Sequence, residues 1–91
     1  MLFIIIMYIS ASCFDIGKDY LGFIIKNLRD ITTVDDCQKQ CQINEQCVVW
    51  TLNLGAQYHG CWLHSKASAN RAIGDHLVSG PKWCPGMLQY I

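Results

Sequence analysis

The chain lacks any excess of positive charge. Seven lysine and arginine residues balance seven aspartate and glutamate residues, so the formal net charge is zero. No cluster of basic residues compensates for this balance. A protein that binds nucleic acid normally carries a basic excess, which displaces counterions from the phosphates. The composition therefore argues against nucleic acid as a partner.

Low-complexity tracts, internal repeats and Asn-x-Ser/Thr sequons are also missing. With 52% hydrophobic and 15% charged residues, the composition is that of a folded protein and excludes a largely disordered one. N-glycosylation is not expected. A length of 91 residues predicts one small domain, whose core alone leaves little margin of stability.

No apolar run is long enough to cross a bilayer as a helix. The most apolar stretch, residues 1–9, is followed by the small residues 10–12, a pattern that resembles the core and cleavage site of a secretory signal without its positively charged leader. A buried N-terminal strand is the alternative. We expect residues 1–12 to be signal-like, residues 13–84 to form the domain and residues 85–91 to form a short tail. No stable membrane insertion of the mature domain is expected.

Cysteine, by contrast, is abundant. Six cysteines in a chain of this length are typical of a small domain held by disulfides in an oxidising compartment, which predicts a secreted protein. Six cysteines allow many pairings, and their spacing alone does not choose among them. They are Cys13, Cys37, Cys41, Cys47, Cys61 and Cys84.

One helix is predicted over residues 34–43. Thr33 is a suitable N-cap, aspartates follow in the first turn, and Asn44 ends the segment. Cys37 and Cys41 are four residues apart and therefore share a face of this helix, which must point towards the core. The solvated side is predicted to carry Gln38, Lys39, Gln40 and Gln42.

Runs of β-branched and aromatic residues predict four strands. The second and third are expected to form a hairpin through a loop over residues 54–59. Residues 65–75 have no clear period and are predicted to form a loop. Alternation over residues 48–52 places Val48, Trp50 and Leu52 on the core side, and Trp62 is also predicted to pack in the core. The four strands are residues 20–28, 47–53, 60–64 and 76–79.

Taken in order, these motifs resemble those of the PAN/Apple domain family, over roughly residues 13–84. The resemblance implies an α+β fold, a curved antiparallel sheet of about five strands around one α-helix. It also implies the disulfides Cys13–Cys84, Cys37–Cys61 and Cys41–Cys47. The matching segments are Cys13-Phe14-Asp15-Ile16-Gly17, Asp19-Tyr20-Leu21-Gly22, Asp36-Cys37-Gln38-Lys39-Gln40-Cys41, Cys47-Val48-Val49-Trp50-Thr51-Leu52-Asn53, Cys61-Trp62-Leu63 and Ser79-Gly80-Pro81-Lys82-Trp83-Cys84.

By this resemblance, the protein is a secreted binding module without catalytic activity or cofactor, closest to the single adhesive modules of microneme-type proteins. Its expected partner is an extracellular protein or a glycan. Two alternatives remain open. The chain could be an accessory fragment of a larger secreted protease or multidomain protein, or a structural miniprotein with no glycan ligand.

Four residues are candidate ligand contacts. Tyr58 and His59 lie in the predicted hairpin loop, where an aromatic side chain could stack on a sugar or fill a partner pocket. Lys66 and Arg71 lie in the predicted loop over residues 65–75, where a basic patch would suit a sulfated glycan or an acidic protein surface. Ordinary solvated loops are the alternative for both pairs.

Neither a catalytic nor a metal site is expected. Cys61 lies between His59 and His64, but a disulfide sulfur is not a nucleophilic thiolate. Cys37, Cys41 and Cys47 could supply zinc ligands, but their spacing matches no common zinc finger. The aspartates are not spaced as in an EF-hand loop.

Overall fold

A computed structural model of the protein describes residues 13–20, 22–68, 70–72, 74 and 76–85, with residues 18 and 70–72 described by their backbone. The signal-like segment predicted at residues 1–12, and all of the predicted tail except residue 85, lie outside these ranges. Within them the chain forms one helix and seven strands. These are β1 (Asp15–Ile16), β2 (Lys18–Tyr20), β3 (Ile24–Leu28), α1 (Val34–Ile43), β4 (Val49–Asn53), β5 (Gly60–His64), β6 (Asn70–Ala72) and β7 (Leu77–Pro81).

Five of the strands form an antiparallel sheet in the order β1-β7-β4-β5-β3. Helix α1 packs against β4, β5 and β7 of this sheet. The predicted α+β fold, with one helix and a sheet of about five strands, is therefore confirmed. The predicted hairpin is formed by β4 and β5, with Asn53 opposite Gly60 at the loop end. In the part of the chain described, no helix has the length and apolar character needed to cross a membrane.

Side-chain capping at the N-terminus and a backbone contact at the C-terminus explain the limits of α1. The Asp36 backbone N–H donates to Thr33 Oγ1 at 3.2 Å, which satisfies one of the free amides of the first turn. At the other end the Asn44 N–H donates to the Cys41 carbonyl oxygen at 3.2 Å, and Asn44 itself has extended backbone angles. The helix predicted over residues 34–43 is confirmed at both ends.

The core lies between α1 and the sheet. Trp50 and Leu52 of β4, Leu63 of β5 and Val78 of β7 pack there against the buried cysteines. The Trp50 indole N–H donates to the Pro81 carbonyl oxygen at 2.9 Å, so its polar atom is satisfied inside the core.

Two predictions for the helix side of the sheet are wrong. Val48 is 45% exposed, because it lies one residue before β4 and outside the cluster of residues that pack in the core. Gln38, predicted on the solvated side, is buried; its amide nitrogen donates to the Pro81 carbonyl oxygen at 3.2 Å, which compensates for its removal from water.

The structure joins all six cysteines in three disulfides: Cys13–Cys84, Cys37–Cys61 and Cys41–Cys47. These are the pairs that the family resemblance implies. The first closes the two ends of the domain, because Cys13 precedes β1 and Cys84 follows β7. The second fastens α1 to β5, and the third joins the last turn of α1 to the segment before β4.

Two predicted elements differ from the structure. The strand predicted over residues 20–28 is two strands, because the chain turns between them at Gly22 and Phe23, where the φ angles are 72° and 51°. The loop predicted over residues 65–75 contains β6, which pairs antiparallel with β2 as a separate two-stranded sheet. This two-stranded sheet, called the β2–β6 ribbon below, forms one wall of the candidate site.

Candidate functional site

A groove separates the β2–β6 ribbon from the large sheet. Side chains alternate between the faces of a strand, so Trp50 and Leu52 point to the helix while Thr51 and Asn53 point to the opposite face. Strand β2 packs against β4 and β7 on this opposite face. Between ribbon and sheet lies a cavity of about 440 Å³, open to solvent and large enough for a small ligand or a side chain of a partner.

A hydrogen-bonded chain holds the ribbon on the sheet at the floor of the groove. His64 Nδ1 lies 2.8 Å from the Gly22 carbonyl oxygen, and its Nε2 lies 3.1 Å from Thr51 Oγ1. A carbonyl oxygen can only accept, so Nδ1 carries the proton in the neutral ring and Nε2 accepts from the Thr51 hydroxyl. The Tyr20 backbone N–H in turn donates to Thr51 Oγ1 at 3.5 Å.

His64 and Thr51 are each only 2% exposed, so this chain of hydrogen bonds satisfies polar groups that water does not reach. The Tyr20 ring lies 6.1 Å from the His64 ring, centroid to centroid, and packs against it at an angle of 57°. The floor is therefore a fixed polar and aromatic surface built from β2, β4 and β5.

Tyr58 stands at the rim of the groove in a constrained position. Its φ angle is 57°, in the left-handed region that a bulky side chain rarely adopts, and its side chain is 66% exposed. The Trp62 indole N–H donates to the Tyr58 carbonyl oxygen at 2.9 Å and so ties the rim to the floor. Nearby, Asn53 Oδ1 accepts the Gly55 N–H at 2.8 Å, which fixes the start of the same loop.

One carboxylate lies among the described residues that line the groove. Asp19 is the one aspartate or glutamate among the described lining residues, and no lysine or arginine accompanies it there. Within the described part of the chain, its carboxylate makes no hydrogen bond or ion pair. The rest of the lining consists of aromatic, amide, hydroxyl, imidazole and aliphatic groups.

Of the three predicted contact residues whose side chains the structure describes, Tyr58 lies at the groove. His59 is half-buried beside it and faces Arg29, whose Nη2 lies 3.4 Å from His59 Nδ1. Lys66 follows the far end of β5 and places its ammonium 5.1 Å from the centre of the Phe23 ring. Because Tyr58 and Lys66 flank opposite ends of β5, they do not form one patch.

Arg71 lies in β6, and its Cα is paired with that of Asp19 across the β2–β6 ribbon. Trp62, predicted in the core, is half-buried and lines the groove instead. Trp62 and Leu63 are neighbours on β5, so their side chains point to opposite faces of the sheet. Leu63 points into the core, and Trp62 therefore points towards the groove.

Sequence reasoning missed most of the groove, including Asp19, Thr51, Asn53 and His64. One signal was present: polar residues alternate with apolar ones over residues 50–53 of β4, and β5 ends in the polar residue His64. Such alternation usually indicates a solvated face. Here Thr51 and His64 are buried, because the β2–β6 ribbon covers that face.

The described residues contain no group of three or more histidine, cysteine, aspartate or glutamate side chains arranged to hold a metal ion. The cysteine sulfurs, all in disulfides, are not available as thiolate ligands or nucleophiles. The described lining of the groove presents aromatic faces, hydrogen-bonding groups and one carboxylate.

The fold is similar to a known one. The solution structure of a PAN module from Eimeria tenella superposes with a TM-score of 0.62 and 24% sequence identity, over 91% of this chain and 93% of that module. No model of a protein family matches the chain, and no curated protein matches it. The chain thus has the fold of a PAN module, with its single helix, five-stranded sheet and three disulfides.

Proposed function

We propose that this protein is an extracellular, non-catalytic binding module that mediates adhesion by holding part of a protein or glycan partner in the groove between the β2–β6 ribbon and the large sheet. Three disulfides that use every cysteine of the chain support an oxidising, extracellular location. The PAN fold supports a recognition role, although fold alone does not determine function.

The observation that carries the proposal is Tyr58. An exposed aromatic side chain contributes little to stability, and a left-handed backbone at a residue other than glycine costs about 1–2 kcal/mol. Strained residues of this kind cluster at binding sites, where the surrounding structure holds them. Tyrosine is also enriched at the centres of binding interfaces. The rim of the groove thus presents an exposed aromatic ring on a constrained backbone to a partner.

The groove suits partners with both apolar and polar surface. Tyr20, Tyr58 and Trp62 supply aromatic faces, while Asn53 and Gln57 supply amide groups. Aromatic faces with a few fixed polar groups are typical of sites that bind a small ligand. A sugar ring or a side chain of a protein partner fits this description.

The test is a binding screen with a matched pair of variants. The wild-type protein is immobilised and screened against a glycan array and a peptide array, and each hit is measured with Tyr58→Ser and Ile43→Ser. Ile43 is a suitable control because it is 71% exposed and ends α1, on the helix side of the sheet. We expect Tyr58→Ser to weaken binding about tenfold or more and Ile43→Ser to leave it unchanged.

Two results would contradict the proposal. No binding on either array would favour the structural miniprotein. Hits that Tyr58→Ser does not affect, or that Ile43→Ser weakens equally, would place recognition away from the groove.

A further inference from the structure

The charge of the groove points to the class of group that it holds. Asp19 is the one charged carboxylate among the described lining residues, and its oxygens are unpaired within the described part of the chain. No described lysine or arginine side chain lines the cavity to balance it. We propose that the groove receives a cationic side chain of the partner, the ammonium of a lysine or the guanidinium of an arginine. This inference rests on the proposed function, because it names the ligand of the same site.

Aromatic rings strengthen this assignment. Tyr20, Tyr58 and Trp62 line the same cavity as Asp19. The face of an aromatic ring is negative, so it attracts an ammonium or guanidinium group, and the attraction grows when the cation is partly desolvated. A carboxylate together with three aromatic residues therefore offers a cation both an ion pair and ring faces. A neutral ligand would make no ion pair with Asp19.

The hydrogen bonds of the floor leave oxygen acceptors for a cation. In the neutral ring, the N–H at Nδ1 is used by the Gly22 carbonyl oxygen, and Nε2 accepts from Thr51. Asn53 adds a fixed acceptor, since its Oδ1 is oriented by the Gly55 N–H and retains a second lone pair. An ammonium group, which carries three donors and no acceptor, thus finds oxygen acceptors along the groove.

Size and the position of the basic residues agree with a cationic ligand. A cavity of about 440 Å³ has room for the extended chain of a lysine or arginine. A sulfated or phosphorylated ligand would need cations in the lining. Lys66, one of the residues considered for that role, instead lies over the Phe23 ring at the far end of β5.

The experiment compares two probes that differ in charge. Nα-acetyl-lysine amide and Nα-acetyl-norleucine amide are titrated into the oxidised protein at pH 7.5 and low salt, with calorimetry or protein NMR as readout. Both probes have an unbranched aliphatic side chain, and only the lysine carries an ammonium. We expect the lysine amide to bind at least about tenfold more tightly, since removing a hydrogen-bonded charge costs a factor of this order.

Variants locate the effect at Asp19. Asp19→Asn should weaken the lysine amide about tenfold or more, and Asp19→Glu, which keeps the charge, should retain most of the affinity. Asp30→Asn removes an exposed carboxylate in the turn after β3 and should change nothing. Arg71→Ala removes the residue paired with Asp19 in the ribbon, and this variant should bind the lysine amide at least as tightly as the wild type.

Equal binding of the two probes, an unaffected Asp19→Asn variant, or weaker binding by Arg71→Ala would overturn the cationic assignment. The spectrum of Asp19→Asn shows whether the variant is folded, and Asp19→Glu keeps the test valid if it is not. If a neutral sugar binds in a Tyr58-dependent way while the lysine amide does not, this inference fails and the proposed binding function stands. If nothing binds at the groove, both fail.

Discussion

The hydroxyl of Thr51 links the β2–β6 ribbon to the large sheet, and its removal is the most informative test of how the groove is built. Thr51→Val keeps the shape of the side chain but removes both of its hydrogen bonds, to His64 Nε2 at 3.1 Å and from the Tyr20 N–H at 3.5 Å. His64 Nδ1 stays committed to the Gly22 carbonyl oxygen, so Nε2 is left buried without a donor.

An unsatisfied buried acceptor costs about 1–3 kcal/mol. The bond from Tyr20 is long and contributes less, so we expect Thr51→Val to lower the free energy of unfolding by about 2 kcal/mol. Thr51→Ser is the matched control, because it keeps the hydroxyl and loses one methyl group, at a cost of about 1 kcal/mol. Urea unfolding at pH 7.5 without reductant gives the midpoint and slope for each variant.

The same hydrogen bonds should be visible locally. In Thr51→Val, the amide protons of the ribbon should exchange faster relative to those of β4 and β7, because the ribbon loses its attachment while the core keeps its contacts. If Thr51→Val unfolds within about 0.5 kcal/mol of the wild type, or if Thr51→Ser loses as much stability as Thr51→Val, the assigned role of the hydroxyl is wrong.

Three further changes test other parts of the structure. Replacing Cys37 and Cys61 together by alanine removes a disulfide across a sequence separation of 24 residues and should lower the free energy of unfolding by about 3.5 kcal/mol. An unchanged midpoint in urea unfolding would contradict the stabilising role of that disulfide. Tyr58→Gly should be more stable than Tyr58→Ala by about 1 kcal/mol, because glycine relieves the left-handed strain, and equal midpoints would show that no strain is held there. Gly60→Ala should lower the free energy of unfolding by about 3 kcal/mol and with it the melting temperature. The Cβ of the new alanine would lie 2.7 Å from the Leu28 carbonyl oxygen, and the φ angle of 116° is unfavourable for alanine. A melting temperature equal to that of the wild type would contradict this packing.

Local signals in the sequence were sufficient for the helix and the hairpin. Thr33 and the following aspartates act within one turn of α1, so the cap that they form could be predicted from their order alone. The strands on either side of residues 54–59 are close in sequence and pair directly, so their hairpin was also predictable.

The two-stranded sheet could not be predicted, because its pairing is not local. Strand β6 has no hydrophobic period, and its partner β2 lies about fifty residues earlier in the chain. Without the ribbon, the polar residues Thr51 and Asn53 of β4 and His64 of β5 indicate a solvated face, and no groove exists. The candidate site therefore escaped prediction for the same reason as the ribbon. Of the predicted contact residues whose side chains are described, the loop residue Tyr58 is the one that lies at the groove.

The central claim is that the groove between ribbon and sheet is the binding site, and a chemical-shift map tests it most directly. The ¹⁵N-labelled protein is titrated with Nα-acetyl-lysine amide and, separately, with any saccharide that the glycan array selects. The account predicts shifts at the Gly22 and Asn53 amides and at the Trp62 indole N–H, which donates to Tyr58, with no change at Ile43. Shifts confined to α1, with the groove signals unchanged, would contradict it.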